Sequence, residues 1–281
     1  MKKILITGGE GILARYVKEL FDNCAVLSLG RKDLDVTDKK RIKKYFSENS
    51  PDIVIHLAAK TNVDKCEQYQ KETFLVNSEG AKNIAEACSL FKAKMVYIST
   101  ANVFDGNKKE FFETDPTNPL NIYGKSKLLG EEYVKKILKD FLIIRLGWLI
   151  GGGRNEKKFI SYILDQIKKE KQIWVVNDKF GSVVYAKNVA EFIKTLIEKN
   201  AEGIYHYGSK SACSRFNIAE ELVRLTKTNV RIIPVNSSYF SSTFFAPRPK
   251  REVLGSKKIK FPKTWQQNLE TYFNSELKDI L

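Results

Sequence analysis

The chain opens on an unbroken apolar run, Ile4-Leu5-Ile6, set between Lys2-Lys3 and Thr7-Gly8-Gly9. A short run with no polar alternation predicts a strand buried on both faces. Residues 12–21 (ILARYVKELF) then place apolar groups at helical spacing, and residues 25–29 (AVLSL) predict a second strand. Thr37-Asp38 reads as the N-cap of a helix running to about Asn49, where Pro51 stops it. Ile53–His56 predicts a third strand, residues 73–91 a long helix, and Met95–Ser99 a fourth strand. A helix over Tyr123–Lys139 and a strand over Phe141–Leu146 follow. Strands separated by helices imply βαβ units with right-handed crossovers and a parallel sheet. The predicted fold is therefore α/β, a Rossmann-type doubly wound parallel sheet with a smaller C-terminal α/β substrate lobe.

After Gly151-Gly152-Gly153 the rhythm loosens. Helices are expected at 157–169, 187–199 and 214–227, and short strands at 173–176, 204–207 and 230–234. Segment 236–250, rich in Ser, Phe and Pro, reads as an irregular loop. The expected division is a dinucleotide-binding domain over 1–150 and, over 151–281, mainly a substrate-binding lobe. Part of 177–200 is expected to return to the main domain.

Composition adds exclusions. The 281 residues are 43% hydrophobic, enough for a full core, and no apolar stretch reaches the roughly 20 residues of a membrane span. A strand starting at residue 3 leaves no room for a signal peptide, so a cytoplasmic location is expected. The net charge is +15, but Lys and Arg are spread along the chain rather than gathered in a basic tail or aromatic-interleaved patch. A solvated lysine-rich surface is expected, with no nucleic acid or membrane as partner. Four scattered cysteines and two histidines offer no metal-ligand spacing, so no metal is expected.

The candidate chemistry begins at Thr7-Gly8-Gly9-Glu10-Gly11-Ile12-Leu13-Ala14, a strand–turn–helix glycine pattern. Gly8 permits the tight turn, Gly11 lets backbone amides approach a pyrophosphate, and Ala14 allows close helix packing. The helix N-terminus at Ile12-Leu13 adds a positive dipole. At the end of the second strand, Arg31 suits the 2′-phosphate of NADPH better than the ribose hydroxyls of NADH, which stays open as an alternative. Asp35 and Val36 are candidates for contact with adenine. Leu57, Ala58, Ala59 and Lys60 lie where the chain must pass close to a cofactor.

Tyr123 and Lys127 are spaced i, i+4 and share one helix face. A phenol of pKa about 10 is too weak an acid for neutral pH unless a neighbouring ammonium, together with the charge of an oxidised nicotinamide, favours its ionised form. The pair thus reads as a proton donor with its tuning lysine. Thr100, at the end of the fourth strand, is the third candidate, hydrogen-bonding a carbonyl that gains charge.

At these residues a resemblance emerges. The stretches ITGGEGILA, DIVIHLAAKTNVDKCE, FLVNSEGAKNIAEAC, VYISTANVFDG, PLNIYGKSKLLGE, RLGWLIGGG, KFGSVVYAKNVAEF and RPKREVL resemble the dTDP-4-dehydrorhamnose reductase family. That family belongs to the sugar-nucleotide branch of the extended short-chain dehydrogenases/reductases, and the resemblance covers nearly the whole length. It implies NADPH-dependent reduction of an NDP-4-keto-6-deoxy sugar in dTDP-L-rhamnose and surface polysaccharide synthesis. It implies a catalytic Thr100–Tyr123–Lys127 set and substrate contacts from the Thr61–Val63 loop and Trp148. Arg248 is placed towards the nucleotide diphosphate. Two positions depart from the family pattern. Where Ser-Thr-Asp-Tyr-Val-Phe-Asp-Gly is usual, this chain has Ala101-Asn102 in place of Asp-Tyr, so that Asn102 borders the sugar. Where Ser-Trp is common, it has Ser214-Arg215-Phe216.

Two other readings stay open. The Ala101-Asn102 pair suits an NDP-sugar epimerase or dehydratase that recycles NAD. The aromatic residues Tyr239, Phe240, Phe244 and Phe245 would suit a non-catalytic NADP-binding regulatory subunit. A homodimeric assembly of the chain also stays open.

Overall fold

A computed structural model describes residues 1–21, 23–153, 156 and 158–278. The first half is built from β1 (Lys3–Thr7), α1 (Ile12–Leu20), β2 (Ala25–Leu29), α2 (Lys39–Asn49), β3 (Ile53–His56), α3 (Val63–Gln68), α4 (Gln70–Phe74), α5 (Gly80–Phe91), β4 (Lys94–Thr100), α6 (Ile122–Ile137) and β5 (Phe141–Leu146). The second half adds β6 (Trp148–Ile150), α7 (Phe159–Lys169), β7 (Gln172–Val176), β8 (Phe180–Gly181), β9 (Val183–Tyr185), α8 (Ala186–Glu198), β10 (Gly203–Tyr207), β11 (Cys213–Ser214), α9 (Arg215–Thr226), β12 (Arg231–Val235), β13 (Arg251–Glu252) and α10 (Trp265–Tyr272).

The central sheet has six strands in the order β2-β1-β3-β4-β5-β10, all parallel. Its apolar runs are explained by cover on both faces. In β1, Ile4 and Ile6 enter one core while Leu5 enters the other, and all three are buried. Helices α1 and α8 pack together on the first face; α2, α5 and α6 cover the second. The winding direction reverses between β1 and β3, which opens a crevice at their C-terminal ends.

Local signals act as the sequence suggests. Asp38 caps α2 by accepting from the Arg41 N–H, and the helix ends at Ser50 in a left-handed conformation just before Pro51. The predicted long helix is extended back to residue 70 and carries a π-helical turn over Leu75–Glu79. Helix α3 was not predicted, because six residues offer too little periodicity; its N-cap Asn62 was the available signal.

The second half corrects the expected division. Residues 203–207, assigned to the substrate lobe, form β10 and complete the main sheet beside β5. The chain therefore returns to the main body through α8 and stays there past residue 200, because the edge of β5 needs a partner. The smaller lobe holds a β7–β12 pair and a three-stranded β11-β8-β13 sheet. The two-residue strands β8, β11 and β13 are invisible to any period-based reading. The helix expected at 157–169 is present from Phe159; its first predicted residue, Lys157, lies outside the described residues. No helix among the described residues is long and apolar enough to cross a membrane.

Candidate active site

The nucleotide end forms where β1 turns into α1. Gly8 has φ +70°, and a Cβ there would lie 2.7 Å from the backbone of Ala58, so this turn presses directly on the loop after β3. Gly9, which the sequence reading left without a role, is as tightly held: a Cβ would meet Ser28 Oγ at 2.6 Å. Gly11 is exposed and precedes α1, whose N-terminus has no side-chain cap and no acidic residue in its first turn. Its amides are therefore available to an anion. Ile12 is partly exposed beside this turn, whereas Leu13 is buried in the core.

Arg31 is exposed, with Nε 3.3 Å from Asp35 Oδ2 and Nη1 4.0 Å from Glu72. Glu72 is also 2.5 Å from Lys60 Nζ. Two cations thus converge on one carboxylate at the expected 2′-phosphate position. Asp35 Oδ1 accepts from the Thr37 N–H at 2.9 Å and its hydroxyl at 2.8 Å. Those bonds, with that from Arg31, outweigh desolvation and hold Asp35 below the usual carboxylate range. The Val36 side chain is 4% exposed and packs on Gly80, and its carbonyl accepts from Asn83 Nδ2 at 3.0 Å. Leu57, Ala58, Ala59 and Lys60 are all partly exposed along the crevice. Asn77, in the π-helical turn, fixes that loop: it accepts from Lys60 N–H at 2.7 Å and donates to Lys60 O and Ser126 Oγ, both at 3.0 Å. The sequence reading missed Asn77, since a buried amide on a helix carries no pattern. The π turn marks it only in three dimensions.

Helix α6 brings the proton-transfer candidates in. Asn121 caps it, accepting from the Gly124 N–H at 2.8 Å, and Glu67 on α3 accepts from the Ile122 N–H at 3.0 Å. Tyr123 is partly exposed and is hydrogen-bonded to Thr100, which is buried at the end of β4. Burial pushes the Tyr123 phenol up to about 12; the Thr100 bond opposes this. Lys127 is 3% exposed, with Nζ 4.0 Å from the centre of the Tyr97 ring. Burial brings its pKa down to about 7, against the pull of Glu131. Within the chain itself the phenol is thus held protonated at neutral pH, and Lys127 is brought close to neutrality. Glu131, one turn further on, is fully buried and bound to Arg145 through contacts of 2.9 and 2.7 Å, and it accepts from Ser99 Oγ at 2.5 Å. His56 is buried beside this group. Its Nδ1 is 2.7 Å from Thr7 Oγ1, and desolvation followed by the Lys127 charge pushes it down to about 3, leaving it neutral.

The expected substrate side is dispersed in sequence but contiguous in space. Thr61 is exposed, and Val63 is partly buried at the start of α3. Arg248 is bound in a fork by Asp64 of α3, with Nη1 3.1 Å from Oδ1 and Nη2 on Oδ2, so its charge is already compensated. Desolvation of Asp64 is outweighed by Arg248 and the Ala246 N–H, and its pKa lies below the usual value. Trp148 lies against Gly181, where a Cβ would come within 2.4 Å of the indole, and Arg215 lies 4.0 Å from the Trp148 ring. Asn102 is buried; it donates to Glu252 Oε2 at 2.5 Å and accepts from Asn121 Nδ2 at 2.9 Å. Glu252 was not singled out from the sequence, because a charged residue in a two-residue strand carries no periodic signal and its partners Asn102, Trp148 and Arg215 lie far away in the chain.

A doubly wound sheet with a glycine turn at its reversal point and a Tyr-Lys pair beside it defines a dinucleotide-dependent oxidoreductase of the short-chain type. The family profile described as the RmlD substrate binding domain matches residues 1–278, and the chain belongs to that family. It is 33% identical to the spore coat polysaccharide biosynthesis protein SpsK of Bacillus subtilis, over 97% of each chain. The dTDP-4-dehydrorhamnose reductase of Bacillus anthracis, solved in complex with NADP, is similar at TM-score 0.92 and 31% identity, covering 98% of this chain and 99% of that one. The dTDP-4-dehydrorhamnose reductase of Yersinia enterocolitica is similar at TM-score 0.92 and 36% identity, covering 99% and 100%.

Proposed function

We propose that this chain is a cytoplasmic NADPH-dependent reductase of an NDP-4-keto-6-deoxy sugar, namely a dTDP-4-dehydrorhamnose reductase serving dTDP-L-rhamnose synthesis. The observation that carries this reading is the hydrogen bond between Tyr123 and Thr100, with Lys127 buried one turn further along the same helix and next to His56, beside the crevice where Gly8 presses on Ala58. The residues fit a dinucleotide: an uncapped helix N-terminus for the pyrophosphate, and Arg31 and Lys60 for a 2′-phosphate. NADPH, when bound there, supplies the hydride.

The chain supplies the rest. Tyr123 holds its proton through the neutral range, as a donor to a carbonyl oxygen must. Thr100, bonded to Tyr123, shares in stabilising the charge that develops on that oxygen. Lys127, with a pKa near 7, can return a proton to Tyr123 after each turnover. Trp148, Thr61, Val63 and Asn102 border the sugar, and Arg248 with Asp64 closes the site from the 236–250 side.

The test is NADPH consumption with dTDP-4-dehydrorhamnose, for the wild type and Tyr123→Phe. Loss of about 10²-fold or more in the variant is the expected result. A wild type that binds NADPH but consumes none with any 4-keto nucleotide sugar would overturn the reading. Tightly held NAD that is recycled would point to the epimerase instead.

A further inference from the structure

Resting on that reading, we propose that Glu252 determines substrate specificity, its carboxylate accepting a hydrogen bond from a ring hydroxyl beside the carbonyl that Tyr123 protonates. Three parts of the chain build this position. Strand β13 is held in register on β8, which pairs Glu252 with Gly181, and Trp148 lies against that same glycine. The Trp148 indole donates to the Glu252 carboxylate. Asn102 donates to Oε2 at 2.5 Å and is tied through Asn121 to the first turn of α6. Arg215 stacks between Trp148 at 4.0 Å and Phe159 at 4.7 Å and attracts the same carboxylate. Both departures from the family pattern, Asn102 and Arg215, thus act on one residue.

The geometry puts that residue near the reaction: Asn102, which holds it, follows Thr100 by two residues and is bonded to Asn121, the cap of the helix that carries Tyr123. The Glu252 charge acts directly on Tyr123, and burial raises its own pKa despite Arg215, Trp148, Arg248 and Asn102. A carboxylate offers about four acceptor positions. Asn102 and the Trp148 indole take two of them. Glu252 is only partly buried, which leaves the other positions to a ligand. A half-buried acceptor charge there rewards a donor on the sugar and rejects a ring position that carries none, or that carries an anion.

The experiment pairs Glu252→Gln and Glu252→Ala with dTDP-4-dehydrorhamnose and its analogue deoxygenated beside the carbonyl. Steady-state kinetics are read together with calorimetric binding of dTDP-rhamnose and its deoxy counterpart to NADP-loaded protein. The expected result for Glu252→Ala is a loss of roughly 10- to 100-fold in kcat/KM and in binding with the hydroxylated compounds, and little change with the deoxy ones. Glu252→Gln should keep the fold and NADPH affinity but lose most of the same discrimination. Equal losses on both compounds would overturn the proposal and leave Glu252 a support for Asn102 and α6. Absence of turnover in the wild type would overturn the proposed reaction, and the binding comparison would still decide the role of Glu252.

Discussion

Replacing Lys127 by Met should stabilise the nucleotide-free protein while destroying its activity. The side chain is 3% exposed, and only the Tyr97 ring and the more distant Glu131 offset its desolvation. A fall in pKa from 10.5 to about 7 is worth, at about 1.36 kcal/mol per pH unit, on the order of 5 kcal/mol. Below about pH 7 the lysine is protonated both folded and unfolded, and the whole cost of burying the charge is present. Between about 7 and 10.5 only the unfolded chain holds the proton, so wild-type stability rises with pH. Above 10.5 the cost is gone. Methionine carries no such charge, and the attraction of the Tyr97 ring for the ammonium is already contained in that net cost, since it acts on the charged form alone. The variant should therefore gain about 5 kcal/mol at about pH 6.5 and about 3 kcal/mol at about pH 8.5. Urea unfolding at the two pH values measures both. A variant less stable at the lower pH, or a gain independent of pH, would refute the depressed pKa and with it the idea that Lys127 exchanges protons near neutrality.

Other substitutions probe separate parts of the site. Gly8→Ala should weaken NADPH binding at least about tenfold and cost on the order of 1–3 kcal/mol in urea, since φ is +70° and the new Cβ would meet the Ala58 backbone at 2.7 Å. Arg31→Ala should cut the preference for NADPH over NADH by roughly tenfold or more, seen in the ratio of the two kcat/KM values. Should that ratio not move, Lys60 carries the 2′-phosphate alone. Glu131→Gln strips the buried Arg145 of its bidentate partner and should destabilise by about 3–5 kcal/mol, read from the unfolding midpoint.

Much of the frame was legible in the chain itself. Strands over 25–29, 53–56 and 141–146 have the predicted bounds, because short apolar runs between helical segments are read from local pattern alone. The glycine turn and the Tyr123–Lys127 pair were legible for the same reason: their meaning lies within a few residues of sequence. The signal fades where contacts are distant. Strand β10 looks like any short apolar run, and only the open edge of β5 decides that it joins the main sheet. Local pattern likewise does not show that the Val36 side chain packs on Gly80.

The sign and size of the pKa shifts were likewise beyond the sequence. An i, i+4 lysine suggests a lowered tyrosine, yet enclosure raises Tyr123 and lowers Lys127, because desolvation depends on everything that surrounds a group and not on its neighbour along the helix. The same holds for Glu252. Residues 102, 148, 215 and 252 are unrelated by spacing, and a three-stranded sheet of two-residue strands brings them to one place. Local pattern determined which elements form and where the cofactor turn and proton donor lie. Tertiary packing decided which charges are buried together, because burial is a property of the assembled chain.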